Sequence, residues 1–372
     1  MQGNIKRKVL VFIDQMSIGG AARVTSIMAN ELVEYGYTVT IACDNIKYPI
    51  DYTINKNVRI VSFHKKRNSI PIVSSLWKEF SLIALSREII KSEKPDLIIA
   101  VTYMVFSQVY FGSIGLGIPV IAYDHTSFSR NLGFIGNIIR FHLYKHADQL
   151  VVLTNKDQAL LQKRSFHNTT VIYNPLTYPE FNGNSHRGKF VLCVGRLNSW
   201  KVKGFDRIIS IWKDISREVD GWKLKIAGDG SESSIRTLET MIKNNSVESS
   251  VELLGAISDM ENLYRSAGIF ALPSRVEGFP MVLMEALSQG CPSISFSIGG
   301  AIDEMVDNNK TGLIINDNDI NDFEAKLKLL MSDGTMRTRL GENASKSVGR
   351  FCRDNYMKSI HAIILKSINI NQ

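Results

Sequence analysis

Short continuous apolar runs alternate along the chain with longer stretches in which apolar residues recur at three- and four-residue spacing. In the first half the runs fall at residues 9–14 (VLVFID), 38–43 (TVTIAC), 58–63 (VRIVSF), 94–101 (KPDLIIAV), 119–123 (PVIAY), 148–154 (DQLVVLT) and 170–175 (TVIYNP). Runs without in–out alternation are what parallel strands look like when both sheet faces are covered. Between them, residues 21–35 put Val24, Ile27, Met28 and Leu32 at helical spacing and stop at Gly36, a C-cap. Residues 76–92 and 135–146 also read as helices. Residues 173–188, with Pro175, Pro179, Gly183 and Gly188 among polar positions, read as a linker. The second half repeats the pattern. Strands are predicted at 190–197, 222–230, 251–255, 268–274, 292–297 and 312–315, and helices at 204–215, 235–244, 259–267, 322–331, 337–347 and 352–368. Strand–helix alternation of this kind specifies a doubly wound α/β sheet, used twice.

Residues 97–123 carry no formal charge and are long enough to span a bilayer. Gly112, Gly115, Gly117 and Pro119 interrupt them, however, so a buried strand–helix–strand unit is the better reading. The N-terminal MQGNIKRKVLVFID has a basic start and a short apolar run, but Asp14 ends the run without a small-residue cleavage site; it reads as a first strand. Cys43, Cys193, Cys291 and Cys352 are scattered, without CxxC or Cys/His spacing, which implies reduced thiols, no zinc site and a cytoplasmic setting. At 372 residues there is room for two cores, and 44% hydrophobic with 22% charged residues is ordinary for a globular chain. The net charge of +8 suits an anionic partner. No nucleic-acid motif or basic patch interleaved with aromatics accompanies it, so phosphorylated substrates or anionic lipid are the expected partners.

Candidate chemistry gathers at predicted strand ends. Gly19-Gly20 lies at a strand-to-helix turn, where another molecule can approach the backbone. The turn is not GxGxxG, the fingerprint of a dinucleotide site. Asp124-His125-Thr126 closes a further strand, and a histidine there can hydrogen-bond a hydroxyl or phosphate. Arg196 follows the first strand of the second half, with Lys201 and Lys203 just before Gly204; cations at a strand end can neutralise a diphosphate. Asp229 in AGDG reads as turn chemistry. In SRVEGFPMVLMEAL (residues 274–287), Pro280 fits the first helical position. The amides of Met281, Val282 and Leu283 would then form an anion site carrying roughly half a positive charge. Glu277 precedes that site and Glu285 follows in an apolar helix, where a carboxylate needs a partner or a ligand. No DxD-type metal pair stands in a suitable loop, so no metal and no cofactor are expected.

Taken in order, IGGAARV, DHTS, VGRL with KG, IAGDG, PSRVEGFPMVLMEAL, GGAIDEM and TGLII resemble the family 4 retaining glycosyltransferases of GT-B architecture. The resemblance is greatest to bacterial enzymes that build O-antigen, capsule or lipid-linked oligosaccharides. It implies two Rossmann-like domains facing a central cleft: an acceptor domain at 1–178, a donor domain at 188–350, and a C-terminal helix at 351–372 crossing back to the first. It implies ribose binding by Glu285 and sugar-hydroxyl binding by Glu277. Backbone amides around Gly278, Phe279, Pro280, Met281 and Val282 would meet sugar and phosphates. Arg196 and a lysine would neutralise the departing diphosphate, His125 would contact the donor sugar near the reacting carbon, and Gly19-Gly20 would lie beside diphosphate and acceptor. Family members place the lysine five after the arginine and directly before Gly or Asn. Here Lys201 has the spacing and Lys203 the glycine, with preference to Lys203. The implied donor is a nucleotide sugar, UDP-linked by family habit. The implied acceptor is a glycan or polyprenyl-diphosphate-linked glycan, reached at the inner face of a plasma membrane. Basic and apolar residues suited to anionic lipid occur together at His64, Lys65, Lys66, Arg67, Ile70, Ile72, Leu76 and Trp77. They recur at Arg130, Phe134, Ile135, Ile138, Ile139, Arg140, Phe141 and Lys145. A nucleotide-sugar epimerase of the same shape and a non-enzymatic sugar-nucleotide binder are the rival readings.

Overall fold

The computed structural model describes residues 7–64, 74–183 and 186–370. By internal contacts the chain forms two compact units, one of Met1–Pro175 with Arg353–Gln372 and one of Leu176–Cys352.

The first unit has strands β1 (Lys8–Phe12), β2 (Thr38–Cys43), β3 (Arg59–Ser62), β4 (Leu97–Val101), β5 (Val120–Tyr123), β6 (Gln149–Val152) and β7 (Thr169–Val171). Among the described residues they form a seven-stranded sheet in the order β3-β2-β1-β4-β5-β6-β7, with each strand parallel to its neighbours. Burial explains the apolar runs: every residue of β4 and β5 is buried. The uncharged stretch is thus β4, the helix Tyr103–Ser113 and β5. No helix of the described residues is long and apolar enough to cross a membrane. The order reverses beside β1. The chain builds outward through β2 and β3, then returns to lay β4 on the other side, leaving a crevice past the ends of β1 and β4. The C-terminal helix Arg353–Ile370 belongs to this unit; its Tyr356, Met357, Ile360 and Ile364 are buried, and Tyr37 Oη lies 2.9 Å from His361 Nδ1.

The second unit has β8 (Phe190–Val194), β9 (Lys223–Ala227), β10 (Val251–Gly255), β11 (Ile269–Leu272), β12 (Ser293–Ser297) and β13 (Leu313–Asn316). They form a six-stranded parallel sheet ordered β10-β9-β8-β11-β12-β13, with the reversal between β8 and β11. Trp212, Phe205, Phe296 and Phe323 fill its core. Where the linker enters, Leu176 N–H donates to Phe351 O at 2.9 Å. All four cysteines are free and three are buried. Burial pushes the Cys43 and Cys291 thiols up to about 11, against reactivity.

Two local expectations need correction. The helix predicted at 135–146 is an α-helix, Gly133–Phe141, followed by a 3₁₀ turn, Leu143–His146. The helix Asn155–Gln162 was not foreseen, although Thr154-x-x-Asp157 is a capping signature: Thr154 Oγ1 accepts from Asp157 N at 3.0 Å.

Candidate active site

In the second unit the reversal of strand order sets the ends of β8 and β11 side by side. After β8 come Gly195, Arg196, a 3₁₀ turn (Leu197–Ser199), the one-turn helix Trp200–Lys203 and then Gly204. After β11 come Pro273, Ser274, Arg275 and Glu277, leading to the helix Met281–Ser288. Gly204 has φ +71°, and a Cβ there would sit 1.9 Å from Pro273 O, so only glycine lets the two segments touch. Arg275 seals the contact. Its N–H donates to Val202 O at 2.8 Å, and its guanidinium forks onto Asp206 at 2.7 and 2.8 Å and also reaches Lys201 O. Hydrogen bonding to Asp206 raises the Arg275 pKa further.

This frame delivers Lys203 to Glu277. Lys203 Nζ donates to Glu277 Oε1 at 2.8 Å, and Ser274 Oγ donates to the same oxygen at 2.7 Å. The Glu277 side chain is 10% exposed and that of Lys203 22%. Oε2 of Glu277 has no hydrogen-bond partner among the described residues and remains free to accept from a ligand hydroxyl. A solvated surface pair would need no buried serine beneath it. Lys203 lies across Gly195 at the end of β8, whereas Lys201 and Arg196 are exposed at the rim.

Pro280 is not the first helical residue. Its ψ of 101° puts it at the N-cap, and Met281 opens the helix. The anion site narrows accordingly: Leu283 N–H and Met284 N–H are both spent on Pro280 O, at 3.1 and 3.2 Å. Met281 and Val282 keep N–H groups without a partner among the described residues. The Phe279 side chain points inward, 5.7 Å centroid to centroid from Phe351, and is not offered to a ligand. Glu285 is 3% exposed, with Oε1 accepting from Thr177 Oγ1 at 2.8 Å and Oε2 from Tyr264 Oη at 2.9 Å. Those hydroxyls are the partners that a carboxylate in an apolar helix requires. Asp229 is a turn residue, its Oδ1 accepting from Gly230 N–H at 2.8 Å.

In the first unit the Gly19-Gly20 loop opens the helix Gly20–Glu34. Gly19 has φ 165°, an extended conformation open to any residue, so close approach and not backbone strain is what glycine offers here. The loop is strapped from outside. Tyr52 Oη accepts from Gly19 N–H at 2.8 Å and donates to Gly19 O at 3.1 Å, and Asp51 Oδ2 accepts from Ile18 N–H at 2.7 Å.

His125 follows β5 and stacks on Tyr123, with centroids 4.3 Å apart. Part of the residue reaches the surface, yet both ring nitrogens are shielded from water and have no hydrogen-bond partner. Burial pushes its pKa down to about 3, so the imidazole is neutral, with one N–H to donate and one nitrogen to accept. Asp124 beside it is fully buried and paired with Arg140. His64, from the first basic–apolar group, pairs with Asp44 at 2.8 Å. Lys65, Lys66, Arg67, Ile70 and Ile72 lie outside the described residues, as do the side chains of Leu76 and Trp77. The second group carries Phe134 and Ile135 at 82% and 66% exposure, with Ile138 also exposed. Ile139 and Arg140, by contrast, face inward. No group of three or more His, Cys, Asp or Glu side chains gathers as a metal site among the described residues.

Two families of known proteins match this chain in succession: "Glycosyltransferase Family 4" over residues 18–177 and "Glycosyl transferases group 1" over residues 177–347. A curated relative from Erwinia amylovora, the amylovoran biosynthesis glycosyltransferase AmsD, is 29% identical over 91% of this chain and 93% of its own. Another, from Campylobacter jejuni, is an α-1,4-N-acetyl-D-galactosaminyltransferase named for an undecaprenol-diphosphate-linked glycan substrate. It is 26% identical over 97% of this chain and 98% of its own. Among solved structures, Anabaena HepE in complex with UDP and glucose superposes with a TM-score of 0.77 at 17% identity, covering 97% of this chain and all of that one. The fold is GT-B. The chain belongs to the family 4 glycosyltransferases, and these two relatives act in bacterial polysaccharide and lipid-linked glycan synthesis.

Proposed function

We propose that this protein moves a hexose or N-acetylhexosamine from a UDP-sugar to a hydroxyl of a lipid-linked or polysaccharide acceptor, with retention at the anomeric carbon. The observation that carries the reading is the Lys203–Glu277–Ser274 group at the reversal of the second sheet, the place where open α/β sheets take ligands. It puts a cation, a carboxylate with one free oxygen, and the free amides of Met281 and Val282 on neighbouring segments. Breaking a glycosyl–phosphate bond leaves negative charge on the departing diphosphate. Lys203, Arg196 and the helix amides stabilise that charge as it develops, each such donor being worth about 3 kcal/mol. In this role Lys203 would turn from Glu277 toward the phosphate, releasing Glu277 to hold sugar hydroxyls. Glu285, oriented by Thr177 and Tyr264, holds the ribose, with Lys201 at the rim of the diphosphate. His125, neutral, offers its N–H to the donor sugar near the reacting carbon, and the Gly19-Gly20 loop borders the diphosphate and acceptor.

Among the described residues no glycosidase-type pair of nucleophile and acid carboxylates is evident. The reading therefore takes front-face transfer, in which the leaving phosphate removes the proton of the attacking hydroxyl, and it asks nothing of a metal ion. UDP is supported by the nucleotide in HepE, and a polyprenyl-linked acceptor by the substrate of the Campylobacter relative. Exposed Phe134, Ile135 and Ile138 beside Arg130 and Lys145 suit the surface of an anionic bilayer on which such an acceptor resides.

The test is UDP release across a panel of UDP-sugars, with and without polyprenyl-diphosphate-linked glycans, followed by NMR of the product anomer. Acceptor-dependent release with a retained anomer is expected. An inverted product removes front-face transfer. An epimerised sugar released without acceptor makes the protein an epimerase, and donor binding without turnover makes it a binder.

A further inference from the structure

Arg140 is the largest charged side chain among the described residues to be completely buried, and nothing in the proposed reaction uses it. Among the described residues its side-chain hydrogen bonds all fall on one short segment. Nε donates to Asp124 Oδ2 at 3.0 Å, Nη1 to Arg130 O at 3.3 Å and Nη2 to Thr126 O, while the guanidinium lies 3.8 Å over the Phe128 ring. Asp124 is completed by Tyr144 Oη at 3.2 Å and by Thr126 N–H at 2.8 Å. A second buried carboxylate, Asp157, takes Phe128 N–H at 2.9 Å and Ser127 Oγ at 3.3 Å. Residues 124–130 are therefore clamped at Asp124, Thr126, Ser127, Phe128 and Arg130. Thr126 is held through its backbone alone, and the His125 ring makes no hydrogen bond to the described residues.

A buried ion pair adds little stability over well-packed apolar residues and is retained where it fixes one geometry against others. Here the geometry that it fixes is the path of the His125 loop. We propose that Arg140, with Asp124, is a positioning residue for His125: it holds residues 124–130 so that the imidazole lies flat on Tyr123 with both nitrogens unspent. The inference rests on the reading of His125 as the donor-sugar contact. A neutral imidazole has no charge by which to find a ligand and acts only if its N–H is already aimed; a displacement near 1 Å costs about 100-fold in rate.

The test uses full-length Arg140→Lys, which keeps the charge and loses the fork, and the double variant Asp124→Asn/Arg140→Met, which removes both charges together and stays informative where the lysine variant does not fold. Two readouts are needed. In histidine-labelled protein followed by NMR from pH 8 to 5, the wild-type His125 ring stays neutral, whereas in the variants it becomes hydrated and titrates near its ordinary value of about 6.5. In turnover of the donor found by the panel, kcat falls about 100-fold while the affinity for UDP alone, measured by calorimetry, is unchanged. A folded variant with wild-type kcat, or one in which His125 stays shielded, overturns the proposal. Should wild-type protein turn over no donor, the reading of His125 fails, and the titration alone still decides whether Arg140 sets the ring.

Discussion

At the scale of single residues, Glu277 is the sharpest test. Its Oε1 is held by Lys203 and Ser274, so Glu277→Gln keeps the shape and loses the charge. Turnover is expected to fall at least about 100-fold, the scale on which transition-state hydrogen bonds are lost, with the melting temperature little changed; wild-type turnover in a folded variant removes Glu277 from the reaction. Arg196→Ala, at the exposed rim, is expected to weaken UDP binding by calorimetry, and unchanged affinity takes Arg196 out of the site. His125 makes a prediction about pH. Its folded pKa of about 3 lies below the unfolded value of 6.5, because burial penalises the charged ring. The folded state therefore binds fewer protons between those values, and the stability that His125 contributes is present above pH 6.5 and lost as pH falls toward 3. The stability difference between wild type and His125→Gln should shift against wild type from pH 7 to 4, by up to about 1.4 kcal/mol per unit; a flat difference in urea unfolding refutes the burial. The comparison is needed because Asp124 and Asp157, raised by burial, act in the opposite direction in both proteins. The acids, the lysines and the histidine could all be picked out from the sequence, since each ends a run or sits in a compact motif. Their partners could not. Thr177 meets Glu285, Asp206 meets Arg275, and Arg140 meets Asp124 only because strand order folds distant segments together.

At the scale of elements, the strands were legible because a sheet covered on both faces leaves unbroken apolar runs, as β4 and β5 show. Boundaries were less so. Pro280 looked like a first helical residue from composition alone, yet its extended ψ leaves it one place outside the helix, where its carbonyl consumes the Leu283 amide. The helix Asn155–Gln162 escaped because its mean pattern is polar, and only its cap announced it. Gly204 is where an element decides the site. It caps the one-turn helix Trp200–Lys203, starts the helix Phe205–Ile215, and touches Pro273 O where no Cβ fits. Gly204→Ala pays the left-handed φ, about 1–3 kcal/mol, and must also push β11's exit away from the lysine. A lower urea midpoint together with weaker UDP binding is expected; a fully stable variant with intact binding would show that the close approach does not matter.

At the scale of the whole chain, sequence order and structural membership part company. The last helix, Arg353–Ile370, is built after the second unit yet counts with the first. Its Tyr356, Met357, Ile360, Ile363, Ile364 and Ile368 are all buried. At about 1.5–3 kcal/mol for each such side chain, their removal approaches or exceeds the 5–15 kcal/mol that holds a typical domain together. The first unit therefore cannot complete its core until the C-terminus has been made. A chain ended at Cys352 should lose amide-exchange protection in β1, β4 and β5, while β8, β9 and β11 remain protected. It should also still bind UDP, because Lys203, Glu277 and Glu285 all lie in the second unit. Undiminished protection of β4 in that truncation would show that the helix merely covers a sheet stable without it, and loss of protection in β8 would show that the two cores do not fold independently.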